Sequence, residues 1–340
     1  MTAVAVQQRN LRRSRRGYPT PPAYIPPIVA AMNRRTALTH LATATLATSP
    51  LTRLLSHHYR PQADGEFNVI RGNVGYYTNK GGTIGVYLPG GKPEGAIVVD
   101  SQFPDAANDL LNVLRENGGL NQLSLLVNTH HHGDHTGGNE VLLPLTDQSI
   151  IHQRAHDNLV NNLKENDKLS GTPLPKTTFT DSWSTNLHGG KESLSIRHFG
   201  PAHTGGDAVV HFEEANVAHL GDLLFNRRFP YVDVPAGADI LNWPAVLKKV
   251  RQAYDRNTIY IFGHAAEGYP VFGTASDLKA FENYLRRLRQ YVRKELRAKT
   301  TLEALKAKTT TIPGAAEWSF GERLRDVNLE VMYNALSPDN

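Results

Sequence analysis

The chain has 340 residues, 40% of them apolar, which suits a globular protein with a sizeable core and excludes a fibrous or wholly disordered chain. It has no cysteine, so disulfides and thiolate metal ligands are excluded, while either redox compartment stays open. The net charge of +5 belongs to the leader: residues 1–60 hold nine arginines and no Asp or Glu, leaving 28 basic against 32 acidic residues, so the body is mildly acidic, which argues against a nucleic-acid partner, whose phosphates need a basic face on the folded domain.

Residues 1–31, rich in Arg and Pro, read as an upstream extension without a packed role. Met32-Asn33-Arg34-Arg35-Thr36-Ala37-Leu38 opens an acid-free stretch of small and weakly apolar residues through Pro50. Over 32–60 it resembles a twin-arginine export signal, with Ala42-Thr43-Ala44 and Thr45-Leu46-Ala47 as small-residue cleavage sites and Met32 as an alternative start. That implies an exported protein, periplasmic or extracellular; a basic tail retained on a cytoplasmic protein is the alternative. The run is too short and too rich in Thr for stable membrane insertion.

From Phe67 the pattern turns to strands. Phe67–Arg71, Val74–Thr78 and Thr83–Leu88 are short runs separated by glycine-marked turns, and Ala96–Asp100 is a continuous apolar run expected of a strand covered on both faces. Leu110, Leu111 and Leu114 mark a helix stopped by Gly118-Gly119, and Leu123–Asn128 is the next strand. Further on, Ser149–His152, Leu194–Phe199, Ala208–Phe212, Val217–Leu220 and Ile259–Phe262 read as strands. Ala155–Leu169, Trp243–Tyr254 and Ser276–Lys299 read as helices, the last with Leu278, Phe281, Leu285, Leu288, Val292 and Leu296 on one face. Two strand-then-helix halves predict an α/β sandwich occupying 61–299 as one domain with two layers of sheet, followed by a C-terminal helical extension over 300–340.

The chemistry concentrates after the strand ending at Asn128. Thr129-His130-His131-His132-Gly133-Asp134-His135 places four imidazoles and a carboxylate in a glycine-bounded loop before a helix, a density that suits a borderline metal such as zinc, which takes nitrogen and oxygen ligands at ~2.0–2.2 Å. Alternate residues of a tight loop point the same way, so His130 and His132 can share one ion while Asp134 and His135 turn toward a second. One loop cannot close two sites, and three later strand ends each set a polar residue beside a glycine: His203 after Phe199, Asp222 after Leu220-Gly221, and His264 after Phe262-Gly263. His131 reads as a spacer with a rim role, His219 and His211 as strand histidines, and Asp100 as either a turn residue or a brace for a ligand histidine.

These motifs, with Ala202-His203-Thr204-Gly205-Gly206-Asp207, Gly221-Asp222-Leu223-Leu224-Phe225-Asn226 and the Gly82-Thr83-Ile84-Gly85-Val86 hairpin, resemble those of the metallo-β-lactamase superfamily over about Asn73 to Tyr269. The resemblance implies an αββα four-layer sandwich with the site at one edge between the sheets. It further implies a dinuclear zinc site, with iron or manganese as alternative metals: His130, His132 and His203 on one ion, Asp134, His135 and His264 on the other, and Asp222 on both. The implied activity is hydrolysis of an activated carbonyl in a small molecule, a β-lactam, lactone, ester or thioester, with Asp134 also orienting the nucleophile. An iron-dependent thiol or persulfide oxygenase of the same fold and a non-catalytic metal-binding protein are the alternatives. For the substrate, Phe229 and Tyr231 are expected to form an apolar wall, and Arg227 or Arg228 to meet a carboxylate.

Overall fold

The computed structural model describes residues 65–187 and 189–337; the expectations for 1–31 and 32–60 lie outside the described residues. The strands among the described residues are β1 (Glu66–Arg71), β2 (Val74–Thr78), β3 (Ile84–Tyr87), β4 (Ile97–Val99), β5 (Leu123–Asn128), β6 (Thr146–His152), β7 (Thr177–Phe179), β8 (Ser182–Leu187), β9 (Glu192–Arg197), β10 (Val209–Phe212), β11 (Val217–His219), β12 (Phe225–Asn226), β13 (Ile259–Ile261), β14 (His264–Ala265) and β15 (Phe272–Gly273). The helices are α1 (Pro104–Glu116), α2 (Gly133–Thr136), α3 (Asn139–Leu142), α4 (Gln153–Glu165), α5 (Trp243–Ala253), α6 (Ala275–Arg297), α7 (Leu302–Lys308) and α8 (Gly321–Leu336).

One sheet runs β1-β2-β3-β4-β5-β6-β7, and a second runs β15-β13-β11-β10-β9-β8. Side-chain alternation along each strand sorts the core into layers. Val98 and Leu126 face out onto Leu110, Leu111 and Leu114 of α1. Their neighbours Ile97, Val99, Leu125 and Val127 face in, where they meet Ile196, Val210, Phe212, Val217 and Ile261 of the second sheet. Val209, Ala218 and Tyr260 on the far face of that sheet pack on Trp243, Val246, Phe281, Leu285 and Leu288 of α5 and α6. The layers are therefore helix, sheet, sheet, helix, as expected. The 23-residue α6 begins at a capping box in which Thr274 and Asp277 each satisfy the other's backbone N–H, which fixes where its apolar stripe meets the sheet.

The division expected at residue 299 does not appear in the packing. Leu305, Ile312, Ala315, Trp318, Leu329 and Met332 join the same apolar cluster as Trp243 and Phe281, and Trp318 stacks on Tyr284 at 5.1 Å. Residues 300–337 thus complete the outer helical layer.

Parallel pairing sets the functional edge. β4 and β5 are parallel neighbours, as are β11 and β13 in the other sheet, so the segments leaving their carboxyl ends emerge together. Asp100, the 129–135 loop, Asp222 and His264 all leave from these ends.

Candidate metal centre

The seven sequence-predicted residues meet at this edge. The ligand-capable atoms of His130, His132, His203 and Asp222 lie within 4.8 Å of one another, as do those of Asp134, His135 and His264. His132 Nδ1 is 3.1 Å from His130 Nε2 and 2.9 Å from His203 Nε2. Asp222 stands between the groups: Oδ2 is 3.4 Å from His203 Nε2 and 3.9 Å from His130 Nε2, while Oδ1 is 3.1 Å from His135 Nε2 and 3.4 Å from His264 Nε2. Asp134 Oδ2 lies 3.1 Å from His264 Nε2 and 3.9 Å from His135 Nε2.

Close approach of backbone makes this crowding feasible. A Cβ at Gly263 would sit 2.0 Å from Asp222 Oδ1, and one at Gly82 would sit 2.2 Å from the His135 ring. Only glycine lets the β2–β3 hairpin and the β13 exit close over these side chains.

Each of four imidazoles has an outer partner that fixes its proton. His135 Nδ1 donates to Asp100 Oδ2 at 2.8 Å, His132 Nε2 to Asp233 Oδ2 at 2.8 Å, and His203 Nδ1 to the Tyr231 carbonyl at 2.9 Å. Thr129 Oγ1 donates to Asp100 Oδ2 at 2.7 Å, so it is left to accept from His130 Nδ1 at 3.0 Å. For His130, His132 and His203 the other nitrogen then faces inward as a bare lone pair. Lone pairs 2.9–3.1 Å apart cannot hydrogen-bond one another. Buried Asp222 Oδ1 likewise has no hydrogen-bond partner of acceptable geometry among the described residues. A cation satisfies all of these groups at once, and the nitrogen and oxygen donors are those a borderline divalent metal takes.

Protonation follows the same layout. Burial, reinforced by the charge of His135, holds His130 well below its ordinary value, and burial takes His203 down to about 3, so both rings are neutral. Burial also opposes charge on His135 and His264, but Asp222 and its fellow carboxylates outweigh it and both are raised. Asp222 and Asp134 are lowered despite their burial, by the histidines facing them. Without a metal, protons on His135 and His264 therefore supply the positive charge that the carboxylates demand, and binding a cation displaces them.

Asp100 is a brace for His135 and not merely a turn residue: fully buried with φ 65°, it accepts from Thr129 N and Oγ1 as well. His219 is structural, its ring bonded to the Thr83 carbonyl and the Gly221 amide. His131, expected at the rim, is instead buried at 2% exposure, with its Nε2 3.4 Å from Asp233 Oδ2. Asp233 itself was missed, because nothing in Pro230-Tyr231-Val232-Asp233 marks it; its distance of eleven residues from Asp222 is bridged only by the fold. The Tyr231 carbonyl, as backbone, leaves no trace in a sequence at all.

The three residues expected at the substrate separate. Tyr231 is 41% exposed, its ring 5.5 Å from that of His132. Phe229 is instead a core residue, 4% exposed against Tyr284, because Phe229 N bonds to the Ser319 carbonyl and turns the side chain inward. Arg227, with φ 57°, stacks its guanidinium over Trp318 and Tyr269 at 4.8 and 5.7 Å. Arg228 is the arginine beside the site: it shares a 340 Å³ depression with His264 and Gly263, feels the charges of Asp222 and Asp134, and has a buried Nε without a hydrogen-bond partner among the described residues. Phe320, held at φ 112°, backs its guanidinium at 3.4 Å.

A family model described as the metallo-beta-lactamase superfamily matches residues 82–264, a stretch holding all seven residues. The chain is similar to a metallo-beta-lactamase type 2 from Bacteroides fragilis, 25% identical over 173 residues covering 51% of this chain and 66% of that protein. It is also similar to a hydroxyacylglutathione hydrolase from Synechococcus sp. (strain JA-3-3Ab), 30% identical over 130 residues covering 38% and 44%. The matches thus span less than two thirds of these relatives' length. Among solved structures, a stereoselective inverting sec-alkylsulfatase from Pseudomonas sp. superimposes with a TM-score of 0.62 at 11% identity, over 79% of this chain and 50% of that one, a likeness of fold alone.

Proposed function

The chain belongs to the metallo-β-lactamase superfamily, and on that footing we propose that it is a dizinc hydrolase of an activated carbonyl in a small molecule: a β-lactam, lactone, ester or thioester. His130, His132 and His203 would hold one ion, Asp134, His135 and His264 the other, and Asp222 both. The observation that carries this reading is the set of three imidazoles, His130, His132 and His203, whose protons are committed outward, to Thr129, Asp233 and Tyr231, leaving bare nitrogens that crowd together beside Asp222. When bound, such a pair of ions supplies Lewis acidity and brings the pKa of water toward about 7.

The remaining steps belong to the chain's own residues. Asp134 is the most open member of the cluster, its side chain 30% exposed, and its carboxylate accepts a hydrogen bond from the attacking water and sets its direction. Arg228 receives an anionic group, either one carried by the substrate or the carboxylate released from it. Tyr231 offers an apolar edge on the opposite side, and Asp100 and Asp233 keep His135 and His132 in register throughout.

Elemental analysis of the purified protein, with a panel of a chromogenic β-lactam, a lactone, an ester and a thioester, tests the proposal. Two zinc ions per chain and turnover of at least one member are expected. Iron with oxygen uptake on a thiol would transfer the site to oxygenase chemistry, and bound zinc with no turnover would reduce it to metal binding. The proposal extends to export through Arg34-Arg35: a double Lys replacement there should retain the protein inside the cell. Among the described residues no helix is long and apolar enough to cross a membrane.

A further inference from the structure

Beside the metal centre lies a cavity of about 520 Å³, within the size range of small-molecule sites. One wall is the segment after β12, with Tyr231, Val234 and Ile240; the other is α8, with Val327, Val331 and Ala335. The two meet where Asn328 Nδ2 donates to the Pro230 carbonyl at 2.6 Å, so α8 is anchored to the segment that carries His203's partner. Among the described residues no cation lines the cavity. Its Glu330 is paired with Lys306 Nζ at 2.6 Å, and Asp239 Oδ1 is occupied by the amides of Leu241 and Asn242.

We infer that this cavity receives a neutral apolar arm of the substrate, an alkyl or acyl chain, whose electrophilic end lies at the metal centre. The inference rests on the proposed hydrolase reading and names its substrate class. Two observations choose this occupant. Tyr231 belongs to both places, lining the cavity while its ring stands 5.5 Å from that of His132, so a chain leaving the metal centre on this side runs along it into the cavity. The exposed large hydrophobics among the described residues also gather at the centre's edges: Tyr231 and Val234 here, Phe103 beside His131, Tyr269 beside His264 and Phe320 over Arg228, with Val69 the exception. Apolar side chains left in water around one site mark where an apolar ligand goes. The paired carboxylates at the cavity's rim disfavour an anionic arm, which Arg228 would receive on the opposite side. A folded protein partner needs about 800 Å² of its surface, more than this cavity offers.

The test uses the full chain, loaded with zinc, and p-nitrophenyl esters from acetyl to octanoyl. Each added methylene should raise kcat/KM by about fourfold, and Ala335→Trp, at an exposed position whose new ring fills the cavity, should flatten that dependence while sparing the acetyl ester. Glu322→Trp, on the same helix but away from the cavity, should behave as wild type. Octan-1-ol binding, followed by calorimetry, is read alongside because it needs no turnover: wild type and Glu322→Trp should bind it, and Ala335→Trp at least tenfold more weakly. Octanol binding without ester hydrolysis would count against the hydrolase reading alone. A flat chain-length profile in an active enzyme, equal octanol binding by all three proteins, or a dimer abolished by Ala335→Trp would overturn the inference, the last by giving the cavity to a second copy.

Discussion

Removing the Asp233 carboxylate isolates what an outer hydrogen bond contributes to the metal centre. Asp233 Oδ2 accepts from His132 Nε2 at 2.8 Å and its side chain is only 13% exposed, so this is a charge-assisted bond largely sheltered from water. Such bonds contribute ~1.5–3 kcal/mol, and here the energy fixes a tautomer: without it, His132 can carry its proton on Nδ1, the nitrogen that has to be bare. A tenfold change in affinity is ~1.4 kcal/mol, so Asp233→Ala should weaken one ion by roughly 10- to 100-fold. The second ion should be held as in wild type, because His135 leans on Asp100 and His264 on Asp134 and Asp222. Asp233→Asn keeps an oxygen acceptor without the charge and should fall between. The amides of Ala236 and Ala238 bond to the Asp233 carbonyl at 3.1 and 3.0 Å, so the turn survives and Tm should move by only a few degrees. Competition with a chromophoric chelator resolves the two release steps. Wild-type release of both ions from Asp233→Ala, or loss of both together, would refute the reasoning.

Other consequences are as direct. Asp134→Ala should reduce hydrolysis by ~100-fold or more while total zinc falls far less, since His135, His264 and Asp222 remain; parallel loss of both would show that Asp134 only binds metal. Gly82→Ala would push a methyl into the His135 ring, from 2.2 Å, and should cost the ion shared by His135 and His264 before it unfolds the hairpin, as zinc counting against melting would reveal. His152, 4% exposed, is depressed by burial and by the charge of His198 to about 4, so the unfolded chain binds more protons between about pH 6.5 and 4 and stability declines as pH falls through that window, by at most about 3 kcal/mol. His152→Asn keeps an acceptor for the Arg154 amide at the start of α4 and should remove that decline; denaturant unfolding at pH 7 and pH 4.5 compares the two, and equal slopes would count against the assignment.

The inward-facing half of this site was legible because each of its side chains sits beside a glycine at a strand end, and strand ends can be read from apolar runs. Leu123–Asn128 agrees with the observed β5 residue for residue, and the glycines that allow His135 and Asp222 to be approached were visible as punctuation. The outward-facing half was not. A carboxylate such as Asp233 acquires its role only when the chain, 101 residues further on, brings it back to His132, and the Tyr231 carbonyl is chemically the same as any other carbonyl in the chain. Phe229 and Arg227 were misplaced for a related reason: both flank Arg228 in a segment that pairs with residues near Ser319, and that pairing, set by α8 and Trp318, decides which of three neighbours faces the site.

The family match ends at residue 264, with the last of the seven clustered side chains. The ring that backs Arg228, the strand-like pairing that turns Phe229 away, and one wall of the cavity beside Tyr231 all come from residues 319–335. On the proposed reading Arg228 and Tyr231, inside the matched stretch, would meet the substrate, and residues 319–335, outside it, would shape their surroundings. Substitutions in α8 should therefore alter which carbonyl is opened without altering how many ions are bound, whereas substitutions in the 129–135 loop should do the reverse. If exchanging Phe320 and Val331 for smaller residues changed metal content as much as substrate preference, the separation of the two halves would fail, and the C-terminal helices would have to be counted as part of the metal centre's own support.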